Sequence, residues 1–215
     1  MILPRIPNSY PLPSVYTDEE IRAILGSIDR STVQGSRDFA ILMLASSLGI
    51  RASDICEMTL EAINFVKNEL SFIQKKTSVP LTLPLLPDVK EALLGYLGYR
   101  KIDSTDEPIF IQCRAPYHKL TRMGIWTIMR RYVKQSGVDP GHRKRGTHAL
   151  RSSLASSMVR EQVPYYAVQK ILGHESPQST KNYVRIDIGR LREFTLPVPE
   201  AYGRFDAFLK GGETR

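Results

Sequence analysis

Five residues of this 215-residue chain have types and settings that could do chemistry: Arg51, His148, Arg151, His174 and Tyr183. In Thr147-His148-Ala149-Leu150-Arg151 the histidine and arginine stand at i and i+3, so both project from one face of a helix. With Thr147 as N-cap, the pair lies at the positive end of the helix dipole, where an anion is favoured. In Leu172-Gly173-His174 and the following Ser176-Pro177, a glycine ends one helix and a Ser-Pro pair opens the next. His174 therefore falls on a tight interhelical turn. Tyr183 follows among Lys181, Asn182 and Arg185, a polar setting for an aromatic that otherwise serves in a core or at its rim. Arg51 opens a helix directly behind a core helix, and a guanidinium placed there needs an anion. Asp54 can supply it as an internal salt bridge, or can orient Arg51 toward a bound phosphate.

The elements that must position these groups can be read from periodicity and turn residues. Thr17 and Glu20 form a capping box for a helix running to about Ser27. A second helix, about Gly35 to Leu48, is apolar nearly all round and so buried, and Gly49 ends it. A short helix follows from about Ala52 to Met58. Residues 63–85 change period: Ile63–Val66, Leu70–Gln74 and Val79–Leu83 read as three strands divided by turns at Lys67–Glu69 and Lys75–Ser78. Pro80 cannot donate in a ladder, which places it on an edge strand. Further helices are expected over about 87–100, 121–136, 147–161, 164–172, 176–183, 187–193 and 200–210. The fold class is α+β, mainly α-helical with a small three-stranded antiparallel sheet. Pro4, Pro7, Pro11 and Pro13 make residues 1–16 an extended linker.

Composition narrows the function class. The chain is 42% hydrophobic and 24% charged, ordinary for a globular domain with a real core. It has no run of about 18 apolar residues and no signal-peptide layout, so no membrane partner is expected. Cys56 and Cys113 lie far apart, which excludes a disulfide framework or zinc ribbon and points to a reducing cytoplasm. Residues 1–107 carry 11 basic and 14 acidic residues, net −3, whereas residues 108–215 carry 19 and 8, net +11. So lopsided a surplus is either a solvated face or the footprint of a polyanion such as DNA or RNA.

Taken in order, Arg51, a lysine on a β-turn, His148-x-x-Arg151, Leu172-Gly173-His174 and Asn182-Tyr183 resemble the motifs of the tyrosine recombinase family, which includes phage integrases and Xer-type recombinases. The resemblance covers roughly residues 17–195. It implies a catalytic domain over 17–195, a fold of that family, and a tail at 196–215 that packs on its own domain or is exchanged between protomers. Members usually carry an additional N-terminal DNA-clamping domain, for which the residues before Arg51 leave no room. The lysine of the family lies between the second and third strands. Lys76-Thr77-Ser78 before Val79-Pro80 matches the Lys-Thr-Gly pattern of phage integrases, with Ser78 in place of glycine; Lys76 is therefore preferred to Lys75.

What the resemblance implies is site-specific recombination of double-stranded DNA, for integration or excision of a mobile element. Tyr183 would attack a phosphodiester to give a 3′-phosphotyrosyl link and a free 5′-hydroxyl. The link conserves the bond energy, so neither ATP nor a metal or other cofactor is expected. Arg51, Arg151 and His174 would hold the charge that grows on the non-bridging oxygens. Lys76 would protonate the departing 5′-oxygen, and His148 would accept or orient the tyrosine proton. Lys75, Arg122, Arg130, Arg143, Lys144 and Arg145 are candidates for backbone contacts on DNA, together with Arg114, Lys119, Arg131 and Lys134. The expected assembly is a monomer alone and a homotetramer on paired DNA sites. A type IB topoisomerase or a DNA-binding regulator with a vestigial site are the readings from other classes.

Overall fold

The structure, a computed structural model, describes residues 14–100 and 107–173. The expected helices at 176–183, 187–193 and 200–210 lie outside the described residues. Helix α1 (Asp18–Gly26) is opened by the capping box: Thr17 Oγ1 accepts from the Glu20 amide at 3.2 Å, and Glu20 Oε2 accepts from the Thr17 amide at 2.8 Å. Helix α2 (Val33–Ser47) begins two residues before the expected start, because Thr32 caps it through the Gly35 amide. Ala40, Ile41, Leu42, Leu44 and Ala45 on α2 are fully buried, as its all-round apolar sequence requires. Around it stand α3 (Ala52–Glu57), α4 (Pro87–Leu97), α5 (Arg122–Gln135) and α6 (Thr147–Arg160). Helix α7 (Tyr165–Leu172) packs on α6 through a separate apolar cluster of Ala155, Val159, Val168 and Leu172.

The sheet has the order β1 (Ile63–Asn64), β2 (Glu69–Ile73) and β3 (Pro80–Pro84), antiparallel throughout. Leu70 pairs with Leu83 and both are buried, which fixes the register, since a one-residue slip would turn that face to water. Pro80 does lie on an edge strand. The β2–β3 turn closes through Ser78 N–H to Gln74 O at 2.8 Å and Gln74 N–H to Val79 O at 3.0 Å. Ser78 has φ 55°, the left-handed conformation that glycine adopts freely. The serine thus fills the turn in the geometry that the Lys-Thr-Gly pattern implies.

Three expectations are corrected. Residues 14–16, read as the end of a linker, belong to the packed body: Tyr16 is 3% exposed and its amide donates to Ser153 Oγ at 2.7 Å. The N-cap of α6 is Gly146, not Thr147. The Trp126 ring lies against Gly146, 3.1 Å from where a Cβ would stand, so a side chain there would crowd the ring. A 3-10 turn at Leu60–Ala62 joins α3 to the sheet where no element was expected. Among the described residues, no helix is long and apolar enough to cross a membrane.

Candidate active site

Four elements meet at the C-terminal end of α7. Helix α7 ends in Gly173, in the left-handed conformation (φ 59°), and its last carbonyls carry the partial negative charge of a helix C-terminus. Arg51, the N-cap of α3, donates from Nη2 to Gly173 O at 3.3 Å. Arg151, on the second turn of α6 and 4% exposed, donates from Nη2 to Leu172 O and from Nη1 to Gly49 O at 2.5 Å. Two arginines 100 residues apart in sequence are therefore held against one helix terminus. Among the described residues, Arg51 Nη1 is buried and has no hydrogen-bond partner.

Gly49 is what allows this approach. It has φ 63°, and an added Cβ would come within 2.7 Å of Leu172 Cδ2 and 3.2 Å of Leu154 Cδ2. Any side chain at this point would be strained by the positive φ and would crowd the leucines of α6 and α7 that face the turn carrying Arg51. Gly49 was visible in sequence as a helix terminator but not as a close-approach position.

Asp54 does not pair with Arg51, contrary to both sequence readings. It is 4% exposed, and its Oδ1 accepts from the Lys75 amide at 2.9 Å and from Ser53 Oγ at 3.3 Å. Its function in the fold is to tether the β2–β3 turn to α3. The two lysines of that turn then diverge. Lys75 Nζ is bonded to Glu57 Oε1, and Glu57 Oε2 also holds Lys119 Nζ at 2.7 Å. These two cations hold the Glu57 carboxyl below the usual carboxylate range, Lys119 being the larger influence. Lys76 is exposed and makes no ion pair among the described residues.

His148 lies on the first turn of α6, its Nδ1 3.2 Å from Ser152 Oγ. Part of the residue faces solvent, yet the protein packed around its ring pushes the pKa below the ordinary value. The positive charges of Lys144, Arg151 and Lys76 push it further the same way. The histidine, the buried arginine and the turn lysine thus act on one another electrostatically. His174 and Tyr183 lie outside the described residues.

The candidate DNA contacts divide into two groups. Arg143 is bound to Glu20 by two bonds of 2.6 and 2.7 Å and lies 4.5 Å over the Tyr16 ring. It locks the entry segment to the loop before α6 and is not free for phosphate, and Lys75, Lys119 and Arg131 are likewise committed to carboxylates. Arg122, Arg130, Lys144 and Arg145 are exposed without an ion pair among the described residues, and Arg130 lies 5.4 Å over the Trp126 ring.

The phage integrase family matches residues 14–190 of this sequence. The chain belongs to that family. It is 34% identical over 189 residues to y4gC of Sinorhizobium fredii, whose name places it provisionally among integrase/recombinases; the match covers 87% of this chain and 97% of that protein. It is 30% identical over 195 residues to tyrosine recombinase XerA of Pyrococcus furiosus, covering 88% of this chain and 63% of XerA. Several such relatives are therefore substantially longer than the segment they share with this integrase-family chain. The fold is that of a crystal structure of XerA recombinase (TM-score 0.70, 20% identity, 86% of this chain and 65% of that one). It is also that of XerH bound to palindromic difH substrate in a post-cleavage complex (TM-score 0.71, 21% identity, 85% and 52%).

In this phage integrase domain the residue least visible in sequence is Gln74. It is 1% exposed, and its side chain bridges Thr77 Oγ1 at 2.8 Å and Leu172 O at 3.3 Å. A glutamine at the end of a strand reads as a solvated turn residue. The one available signal was its place immediately before the paired lysines. Among the described residues, no group of three or more His, Cys, Asp or Glu is arranged to hold a metal ion.

Proposed function

We propose that this chain is the catalytic part of a site-specific recombinase that cuts and rejoins double-stranded DNA, for integration or excision of a mobile element. The observation that carries the reading is the convergence of Arg51 and Arg151 on the helix terminus directly before His174. The unpartnered Arg51 Nη1 is the donor that a phosphate oxygen would take. In the proposed reaction the Tyr183 oxygen bonds to phosphorus and its proton passes to His148. The bond from phosphorus to the 5′-oxygen breaks, and Lys76 gives that oxygen a proton. Arg51, Arg151 and His174 stabilise the extra charge on the non-bridging oxygens between these events. A 5′-hydroxyl of a partner strand reverses the step. Four protomers on two DNA sites would complete an exchange, with residues 196–215 coupling neighbours, and a cytoplasmic setting fits this reading.

A DNA duplex nicked beside the cleavage site traps the covalent intermediate, because the short 5′-terminated fragment diffuses away. The unsubstituted chain should accumulate a protein–DNA adduct, and Tyr183→Phe should bind the duplex with similar affinity and form none. An adduct with Tyr183→Phe would remove Tyr183 as nucleophile. Absence of an adduct with the unsubstituted chain on its own flanking DNA would leave the regulator reading.

A further inference from the structure

Gln74 is a buried amide, 1% exposed. Its backbone closes the β2–β3 turn, through its carbonyl to Ser78 N–H and its amide to Val79 O. Its side chain is turned away from that ladder, between two further partners. Oε1 accepts from Thr77 Oγ1 at 2.8 Å, which fixes the residue next to Lys76. Nε2 donates to Leu172 O at 3.3 Å, the same peptide oxygen that receives Arg151 Nη2. The amide also fills the space beside Gly173, where an added Cβ would lie 2.3 to 2.6 Å from Nε2, Oε1 and Cδ. The adjoining carbonyl, Gly173 O, receives Arg51.

One dipeptide, Leu172-Gly173, is thus the common support for both arginines and, through Gln74, for the lysine turn. On the other side the turn is tied to α3 by Asp54, three residues after Arg51. The turn tip is exposed and carries Lys76 on a long flexible side chain, so its placement depends on these two tethers. We propose that Gln74 is a positioning residue that sets Lys76 in register with the phosphate held by Arg51 and Arg151. The proposal rests on the reading of Lys76 as the acid that protonates the 5′-oxygen.

Gln74→Met separates positioning from packing, because methionine keeps the volume and apolar burial but removes both hydrogen bonds. The measurement is the single-turnover cleavage rate on two nicked duplexes. One carries the natural 5′-oxygen at the scissile bond, the other a bridging sulfur. A thiol has a pKa of about 8.5, against about 15.7 for water, so sulfur departs as the thiolate without a proton from Lys76. Gln74→Met should fall roughly 10²-fold on the oxygen duplex, the usual scale for an ångström of misplacement. It should approach the unsubstituted rate on the sulfur duplex, as Lys76→Ala should. Equal losses on both duplexes, or no loss on either, overturn the proposal. If Lys76→Ala is itself not rescued by sulfur, the general-acid reading fails and the inference falls with it. If Lys76→Ala is rescued and Gln74→Met is not, the inference alone fails. Thr77→Val removes the same link from the turn side and should show the same oxygen-specific loss; it decides the matter should Gln74→Met not fold.

Discussion

Arg51 Nη1 is a guanidinium nitrogen taken out of water with no bond to compensate it among the described residues. Such a group is unfavourable in the free protein and favourable once an anion arrives, which is how a site stores selectivity for phosphate. Arg51→Lys should therefore not rescue function: a lysine keeps the charge but cannot hold Gly173 O and a phosphate oxygen with one planar fork. The adduct-forming rate should drop by roughly 10²–10³, the scale of a lost oxyanion donor, with folding retained. His148 sits at the other end of the proton inventory. Its depressed pKa, caused first by the protein around the ring and then by Lys144, favours the neutral ring, the form that the proposed proton acceptor needs. Cleavage should be level near neutrality and fall only below about pH 6.5, the ordinary histidine value. Because the unfolded ring takes its proton at higher pH than the folded one, stability also declines as pH falls through that region. Lys144→Ala should move the His148 titration upward, read from its ring proton shifts by NMR.

The β2–β3 turn is the element on which most of the placement depends. Its strands were evident from alternating apolar residues and its edge from Pro80, but its shape rests on Ser78 at φ 55°. A serine there stores strain that glycine does not. Ser78→Gly should raise stability by about 0.5–1 kcal/mol, the left-handed penalty less the added freedom of the unfolded chain, measured by urea denaturation. If the variant is instead less stable, the turn is not strained. Helices α1 to α7 fell within about three residues of the expected ranges, the largest difference being the end of α4 at Leu97. At α6 the cap is Gly146 and not Thr147, and the Trp126 ring of another helix lies close against that glycine. Capping preference is local, whereas room for a capping side chain is not.

For the whole molecule, charge asymmetry pointed to a polyanion, and the structure sorts the charges by what they already hold. Arg143 binds the entry segment to the loop before α6 and is structural. Arg145, from the same basic run, is exposed without an ion pair among the described residues. Arg143→Ala should cost on the order of 1–3 kcal/mol in stability, for a partly exposed bidentate pair and its ring contact. Arg145→Ala should leave stability within about 0.5 kcal/mol and lower the salt dependence of DNA binding by about one counterion. Binding isotherms at several salt concentrations, beside melting curves, check both. The reverse pattern would place Arg143 on the DNA.

The sequence by itself was enough to determine the α+β class, the order of the described helices and strands, and the family. These follow from periods of two and 3.6, from turn residues and from motif order, all properties of neighbours in the chain. Only the tertiary structure decided that Asp54 serves the lysine turn and not Arg51, that Lys75 is held by Glu57, and that Arg143 is occupied. It also brought Gln74 to Leu172 across 98 residues and Arg51 to Gly173 across 122. No local pattern carries such pairings. They are set when apolar faces of separate helices pack, and the polar groups carried along with them must then find partners among whatever atoms the packing has brought within reach.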